Sequence, residues 1–311
     1  MTKRPISLPR FSVVVPAYNA EATVTSAVSS VLAQTQPDLE VIVVDDGSTD
    51  ATAEVVQRIG DPRVHLISQA NRGLSGARNA GVSAARGTYI SLLDSDDLYL
   101  PTYLERSEHA LQSTADAGFA YTDAYVFDSV SGRVRRRSAM ARSNPPTPPP
   151  ADPNGFLLAL LKCNFVYVST TMPRTVLEVV GGFDESRTSS EDYQLWLRIL
   201  LGGYRAVWIP GRQALYRKHP GQMSKQLVTM SRNLAAVYDG LPMDDMPSAA
   251  HRELLTRRRR AARLDARVLS PLAALFPLGL VSAAKRAGVG ESWYDTPPAE
   301  VKTAFPDLTA V

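Results

Sequence analysis

Short apolar runs alternate with helix-like stretches through the first hundred residues, and this alternation constrains the fold more than any other feature. Phe11-Ser12-Val13-Val14-Val15 is rich in β-branched residues, stops at Pro16 and reads as a buried strand. Val24, Ala27, Val28, Val31 and Leu32 then repeat at helical spacing and mark one face of an amphipathic helix, with Thr23 near its start. Val41–Val44, Val64–Ile67 and Tyr89–Leu93 read as the next strands, with helices expected from Thr49 or Asp50 to Ile59 and from Ser75 to Ala85. Strand–helix alternation with short connections predicts an α/β fold, a mostly parallel central sheet with helices on both faces. Ligands of such sheets bind beyond the carboxyl ends of the strands. That rule singles out Pro16–Asn19, Asp45–Ser48 and Asp94–Asp97, two of them rich in carboxylates.

Adjacent carboxylates at a strand end are costly unless solvated, paired or bonded to a ligand. Asp45-Asp46-Gly47-Ser48 reads either as a turn with a helix cap or as a hydrogen-bonding edge for a polar ligand such as a base or ribose. Asp94-Ser95-Asp96-Asp97 places three carboxylates in four residues. Like charges this close raise one another's pKa, and a hard divalent cation such as Mg²⁺ or Mn²⁺ would relieve them. The same segment also serves as a solvated acidic turn before a helix opening at Pro101. Ser189-Ser190-Glu191-Asp192-Tyr193 precedes the helix from Glu191 to Leu201, where Ser190 can cap and the acidic pair suits the first turn. The functional alternative is a general base, Asp192 or Glu191, accepting a proton from an attacking hydroxyl. His219 lies in a loop, either solvated or available as a metal ligand or diphosphate donor.

Other chemistries fit poorly. The chain has neither a G-x-x-x-x-G-K-[ST] phosphate loop nor a G-x-G-x-x-G fingerprint nor a G-x-S-x-G elbow. Its histidines lack zinc spacing, and a single cysteine, Cys163, excludes an internal disulfide framework. A nucleotidyltransferase would need a basic, glycine-rich pyrophosphate loop where Pro16-Ala17-Tyr18-Asn19 stands. No secretory signal pattern opens the chain, and no run reaches the ~20 apolar residues that span a bilayer. The expected location is the cytoplasm or the cytoplasmic face of a membrane.

The second hundred residues are less regular. Strands are expected at Phe119–Asp123, Tyr125–Asp128 and Val166–Thr170, helices at Phe156–Leu161 and Arg174–Val180, and an extended proline-dense loop at Asn144–Pro153. Beyond Tyr216 the sequence turns Ala/Arg-rich and helix-prone, and here charge becomes informative. The net charge of +3 arises wholly from residues 221–311, since residues 1–220 hold 22 basic and 22 acidic side chains. Leu227, Met230, Leu234, Val237 and Tyr238 predict a helix packed back on the preceding domain. Arg257–Arg260, with Arg263 and Arg267, precede an apolar run from Leu269 to Leu278. Such a segment reads as a basic helix that closes the core or a dimer interface, or as one that lies on an anionic membrane. Nucleic acid is not an expected partner, because the basic run has no aromatic interleaving.

The motifs, taken in order, resemble the family-2 inverting glycosyltransferases of GT-A fold, from Phe11 to about Ser224. The resemblance rests on Ser12-Val13-Val14-Val15-Pro16-Ala17-Tyr18-Asn19, Val43-Val44-Asp45-Asp46-Gly47-Ser48, Asn71-Arg72-Gly73-Leu74-Ser75-Gly76-Ala77-Arg78-Asn79, Leu93-Asp94-Ser95-Asp96-Asp97, Gly181-Gly182-Phe183-Asp184-Glu185 and Glu191-Asp192-Tyr193. It implies a catalytic domain at 1–224, with a nucleotide-binding half at about 10–100 and an acceptor half at about 101–224, followed by a helical, basic extension at 225–311. It further implies that Tyr18 borders the base beside Ala17, and that Asp46, with Asp45, bonds the base near Arg78. Asp94 would face the ribose, Ser95 would also bind the nucleotide, Asp96 would bind Mn²⁺ or Mg²⁺, and His219 would complete the metal or diphosphate site. Gly182, Phe183 and Glu191 would serve the acceptor, and Asp192 would be the catalytic base. The implied donor is a UDP-, GDP- or dTDP-sugar, and the acceptor a glycan or lipid-linked glycan of cell-surface polysaccharide synthesis. A non-catalytic nucleotide-sugar-binding protein of the same fold is the alternative.

Overall fold

The computed structural model describes residues 8–143, 145–219, 227–275, 292–294, 296–306 and 308. The first strands and helices lie close to their expected places: β1 (Phe11–Ala17), α1 (Val24–Leu32), β2 (Leu39–Asp45), α2 (Thr52–Gln57), β3 (Val64–Ser68), α3 (Gly73–Ala84) and β4 (Tyr89–Leu92). There follow β5 (Leu98–Tyr99), α4 (Tyr103–Gln112), β6 (Ala117–Asp128), α5 (Pro153–Lys162), β7 (Thr170–Pro173), α6 (Arg174–Val180), α7 (Glu191–Leu201) and β8 (Arg205–Lys218). The described part of the tail holds α8 (Leu227–Gly240), α9 (Ala249–Leu275) and α10 (Ala299–Ala304).

The described strands form a single mixed sheet ordered β3-β2-β1-β4-β7-β6-β8-β5. Pairing is parallel from β3 to β4, antiparallel on both sides of β7, parallel between β6 and β8, and antiparallel at β5. Alternating residues of β1 divide between two cores. Val14 packs beneath α3 with Ile42, Val44 and Ala77, while Phe11, Val13 and Val15 face α1 with Val24, Ala27 and Val31. Both faces are therefore dry, which is why these strands read as continuous apolar runs. Gly81 lets α3 approach closely, since a Cβ there would stand 2.4 Å from Val14 Cγ1.

Three expectations shift. The two strands predicted at 119–128 are one strand whose register slips around Asp123, a bulge that reads in sequence as a break. β7 starts at Thr170, where the strand predicted at Val166–Thr170 was to end. The 14-residue β8 was not anticipated, because Pro210 and Gly211 interrupt its middle.

In the tail, α8 and α9 pack on the body. Val237, Tyr238, Leu255 and Ala262 join the core of Trp196, Phe156 and Leu160. Arg258 Nε donates to the Leu161 carbonyl at the end of α5 at 3.1 Å, and Arg259 donates to the Tyr238 and Leu241 carbonyls at the end of α8 at 2.9 and 2.5 Å. Part of the arginine run thus caps helix C-termini, where unpaired carbonyls and the dipole favour cations. The chain then returns to the far edge, where Val301 and Leu308 are buried with Leu98, Phe127 and Leu215. The expected boundary near residue 224 and the side chains of Leu269–Leu278 lie outside the described residues.

Candidate active site

Parallel register aligns the strand ends that the sequence singled out. Ala17 of β1 pairs with Asp45 of β2, the Asp46 amide donates to the Ala17 carbonyl at 2.9 Å, and β4 ends beside β1 just before Asp94. A cleft of about 1220 Å³ opens over these ends. Of the residues singled out by resemblance, Ala17, Tyr18, Asp46, Arg78, Asp94, Ser95, Asp96, Glu191, Asp192 and His219 line it. Tyr18 presents a half-exposed ring at the rim. Asp46 is buried and braced by Gln69 Nε2 at 2.7 Å and the Arg72 amide at 2.9 Å.

Asp45, Gly182 and Phe183 do not line the cleft. Asp45 turns away and accepts the Ser48 amide at 3.1 Å, closing the turn through Gly47 at φ 75°. Phe183 is buried beneath Arg78, with its ring centre 5.3 Å from the guanidinium carbon. Its amide and carbonyl are both held by the Asn79 side chain. Gly182 lies against the same asparagine, where a Cβ would meet Asn79 Oδ1 at 2.5 Å.

Arg78 sits at the floor, 1% exposed, and joins the two halves of the cleft. It donates to Asp94 Oδ1 at 2.7 Å and to Glu191 Oε1 at 2.5 Å. Burial opposes its charge, but Asp94, Glu191 and Asp192 together outweigh burial and hold the guanidinium protonated. Asp94, its side chain only partly exposed, titrates above its ordinary value through desolvation, although Arg78 pulls it down.

The acidic turn after β4 has an internal division of labour. Asp97 is fully buried, accepts the Arg217 amide at 2.9 Å and takes the Tyr167 hydroxyl. Burial, and then the charges of Asp96 and Asp94, push its pKa well up. Asp96 instead faces the cleft, with Oδ2 2.9 Å from His219 Nε2, while its own carbonyl accepts Arg217 Nε at 2.7 Å. Ligand atoms of Asp94, Asp96 and Asp97 lie within 4.8 Å of one another. Within the cluster both Asp97 oxygens are taken, and it is Asp96, beside the His219 imidazole, whose hard oxygen fits Mn²⁺ or Mg²⁺. Asp97, Tyr167 and Arg217 were not assigned roles from sequence; the acidic cluster signalled Asp97, but its partners arrive from distant segments, Tyr167 from the stretch before β7 and Arg217 from β8.

Asp192, in the first turn of α7, lines the same cleft. Burial, followed by the charge of Glu191, raises its pKa to about 7, while Arg78 pulls the other way. Its carboxylate accepts the Tyr193 amide at 2.6 Å. Ser190 does not cap through its side chain as expected; its backbone is left-handed at φ 62°, outside the extended conformation a capping serine usually takes. A residue poised near neutrality and sharing a cleft with a cluster of carboxylates can take up a proton from a bound hydroxyl.

Comparisons with known proteins identify a family and a fold. The family profile described as Glycosyl transferase family 2 matches residues 12–172. The chain is 39% identical over 223 residues to the succinoglycan biosynthesis protein ExoO of Rhizobium meliloti (strain 1021), covering 71% of this chain but 64% of the relative. It is 31% identical over 232 residues to the UDP-Glc:alpha-D-GlcNAc-diphosphoundecaprenol beta-1,3-glucosyltransferase WfaP of Escherichia coli, covering 73% of this chain and 86% of the relative. The chain therefore spans a little under two thirds of the first relative's length and most of the second's. S. aureus TarS 1-349 in complex with UDP-GlcNAc has the same fold, with a TM-score of 0.58 at 20% identity over 81% of this chain and 72% of that one. The mannosyltransferase PcManGT from Pyrobaculum calidifontis in complex with GDP-Man and Mn2+ gives 0.57 at 21%, over 91% of this chain and 81% of that one.

Proposed function

The chain belongs to glycosyl transferase family 2, and from that premise we propose that it is a metal-dependent, inverting transferase. It moves a sugar from a UDP-, GDP- or dTDP-linked donor to a hydroxyl of a glycan or lipid-linked acceptor in cell-surface polysaccharide synthesis. The observation that carries this reading is Asp192, a carboxyl raised to about 7 that lines the same cleft as the strand-end carboxylates Asp46, Asp94 and Asp96.

In this reading Tyr18 covers the base, Ala17 and Asp46 form its edge, and Asp45 shapes the turn behind them. Arg78 acts on the ribose side through Asp94, with Ser95 beside it. Asp96 and His219 would hold Mn²⁺ or Mg²⁺, which when bound supplies Lewis-acid stabilisation of the leaving diphosphate. The acceptor hydroxyl attacks the anomeric carbon on the face opposite the diphosphate, so the carbon–oxygen bond to diphosphate breaks as the new one forms. The acceptor's proton passes to Asp192, and the sugar's configuration inverts. General-base help of this kind is worth roughly 10²–10⁴-fold. Glu191, held by Arg78, lines the acceptor side, and Gly182 and Phe183 support it from behind.

The relatives' names fit polysaccharide or lipid-linked acceptors. A lipid-linked acceptor places the enzyme at the cytoplasmic membrane face. Among the described residues no helix is long and apolar enough to cross a membrane, but Arg257, Arg260, Leu264 and Arg267 share the outward face of α9. The test is a panel of UDP-glucose, UDP-N-acetylglucosamine, GDP-mannose and dTDP-glucose with Mn²⁺, read first by thermal shift and then by product analysis. One donor should stabilise the protein and yield a product of inverted configuration. A product of retained configuration would overturn the mechanism.

A further inference from the structure

The loop that delivers Asp192 is anchored from two directions. Its first half is tied to α3. Glu185 takes Arg72 Nη2 at 2.7 Å and Asn79 Nδ2 at 2.9 Å, and Ser75 Oγ donates to the Arg187 carbonyl at 3.4 Å. Its second half is tied to α8. Asn233 Nδ2 donates to Thr188 Oγ1 at 2.9 Å and to Ser189 Oγ at 2.8 Å. A turn and a half further along α8, the Tyr238 hydroxyl lies 3.3 Å from that of Tyr193. The first turn of α8 also reaches the cleft itself, since Thr229 and Met230 stand in its wall together with Ser189 and Asp192.

We infer that α8 is a working part of the acceptor side and that Asn233 is a positioning residue for the base. The inference rests on the reading of Asp192 as base. Ser190 is left-handed and makes no side-chain cap, and α7 starts immediately after it. A non-glycine residue holds such a conformation where its surroundings over-determine it. Asn233 is the side chain that grips the two residues just before Ser190. Without it the loop keeps its α3 ties at residues 185 and 187, three to five residues short of Ser190. A displacement of the base by about 1 Å can cost ~10²-fold in rate. The extension after residue 224, distinct from the body in composition, thus shares the site with it.

The test compares Asn233→Ala, Asn233→Asp and, as a control on the outward side of the same helix, Ala236→Ser. Hydrogen exchange is followed in peptides covering residues 184–193, and steady-state kinetics use the productive donor of the panel with water as acceptor. Asn233→Ala should speed exchange in that loop at least several-fold without changing exchange in β1 or β2. It should also lower kcat about tenfold or more with donor KM unchanged. Asn233→Asp, whose carboxylate accepts from both hydroxyls, should recover most of kcat, and Ala236→Ser should match the parent. Unaltered exchange in residues 184–193 overturns the inference, as does a donor KM that worsens as much as kcat. If the parent consumes no donor in the panel, the proposed function fails, while the exchange result still decides whether Asn233 holds the loop.

Discussion

Arg78 and Glu191, 113 residues apart in sequence, meet at 2.5 Å inside the protein. The same guanidinium holds Asp94, so one cation fastens the start of α7 to the end of β4. Removing it strands two carboxylates around a buried cavity, and breaking a buried pair in this way typically costs about 3–5 kcal/mol. Arg78→Met should therefore lower stability to denaturant by about that amount at pH 8. The loss should shrink towards pH 4, where Asp94, already raised by desolvation, takes up a proton. Arg78→Lys should rescue little, because one ammonium cannot serve both partners as the planar fork does. Adding Glu191→Gln to Arg78→Met should restore part of the stability in a double-mutant cycle; strictly additive losses would show that the pair is not coupled.

Asp192 carries a prediction for rate and another for stability. In the proposed role of base it works deprotonated, so kcat should fall about tenfold per pH unit below about 7. Asp192→Asn should bind donor normally and lose transfer by roughly 10²–10⁴-fold. The sign for stability runs the opposite way from a salt-bridged aspartate. Its folded pKa lies above its ordinary value of 3.8, so its carboxyl favours folding at low pH and loses that contribution as pH rises through about 7. Asp192→Asn should match the parent's denaturation midpoint near pH 4 and exceed it at pH 8. A midpoint lowered equally at both pH values would mean that the carboxylate is not held against its own charge.

The candidate metal pair predicts a donor-binding effect. Asp96 and His219 face each other at 2.9 Å, whereas Asp94 and Asp97 are occupied by Arg78, Tyr167 and Arg217. Asp96→Ala should weaken Mn²⁺-dependent binding of the nucleoside diphosphate by at least tenfold in calorimetry. EDTA should weaken the parent to a similar level and leave the variant little changed. Equal affinities with and without EDTA in both proteins would remove the metal from this site.

How much of this was legible in sequence depended on distance. The strands β1, β2 and β4 are buried on both faces and print as apolar runs, so their carboxyl ends, with Asp46, Asp94 and Asp96, could be named directly. β8 prints no such run, and with it went one partner of Asp97, since Arg217 follows a Pro210-Gly211 interruption. Arg78 was placed near the nucleotide by motif order, but its hold on Glu191 crosses the whole domain and leaves no local pattern. The arginine run was legible as basic. Only tertiary packing separates Arg258 and Arg259, which cap helix ends, from the arginines that remain outside.

Those outer arginines carry the last prediction. Arg257, Arg260 and Arg267 are exposed on one face of α9 around Leu264, a leucine 61% exposed. Basic residues near an anionic membrane surface contribute roughly 1 kcal/mol each, so three correspond to roughly a hundredfold in affinity. Co-sedimentation with phosphatidylglycerol vesicles at low salt should therefore fall by about that factor in the triple variant R257Q/R260Q/R267Q, and neutral phosphatidylcholine vesicles should capture neither protein. Raising the salt should weaken the parent towards the variant, since exposed charges are screened within about 10 Å at 0.1 M. The thermal midpoint should stay within a degree or two, because none of the three side chains is buried. Arg259→Gln should do the reverse, lowering the midpoint by leaving the carbonyls of Tyr238 and Leu241 unpaired while vesicle binding persists. Equal vesicle binding by the parent and the triple variant would leave α9 as a packing helix and take the membrane out of the account.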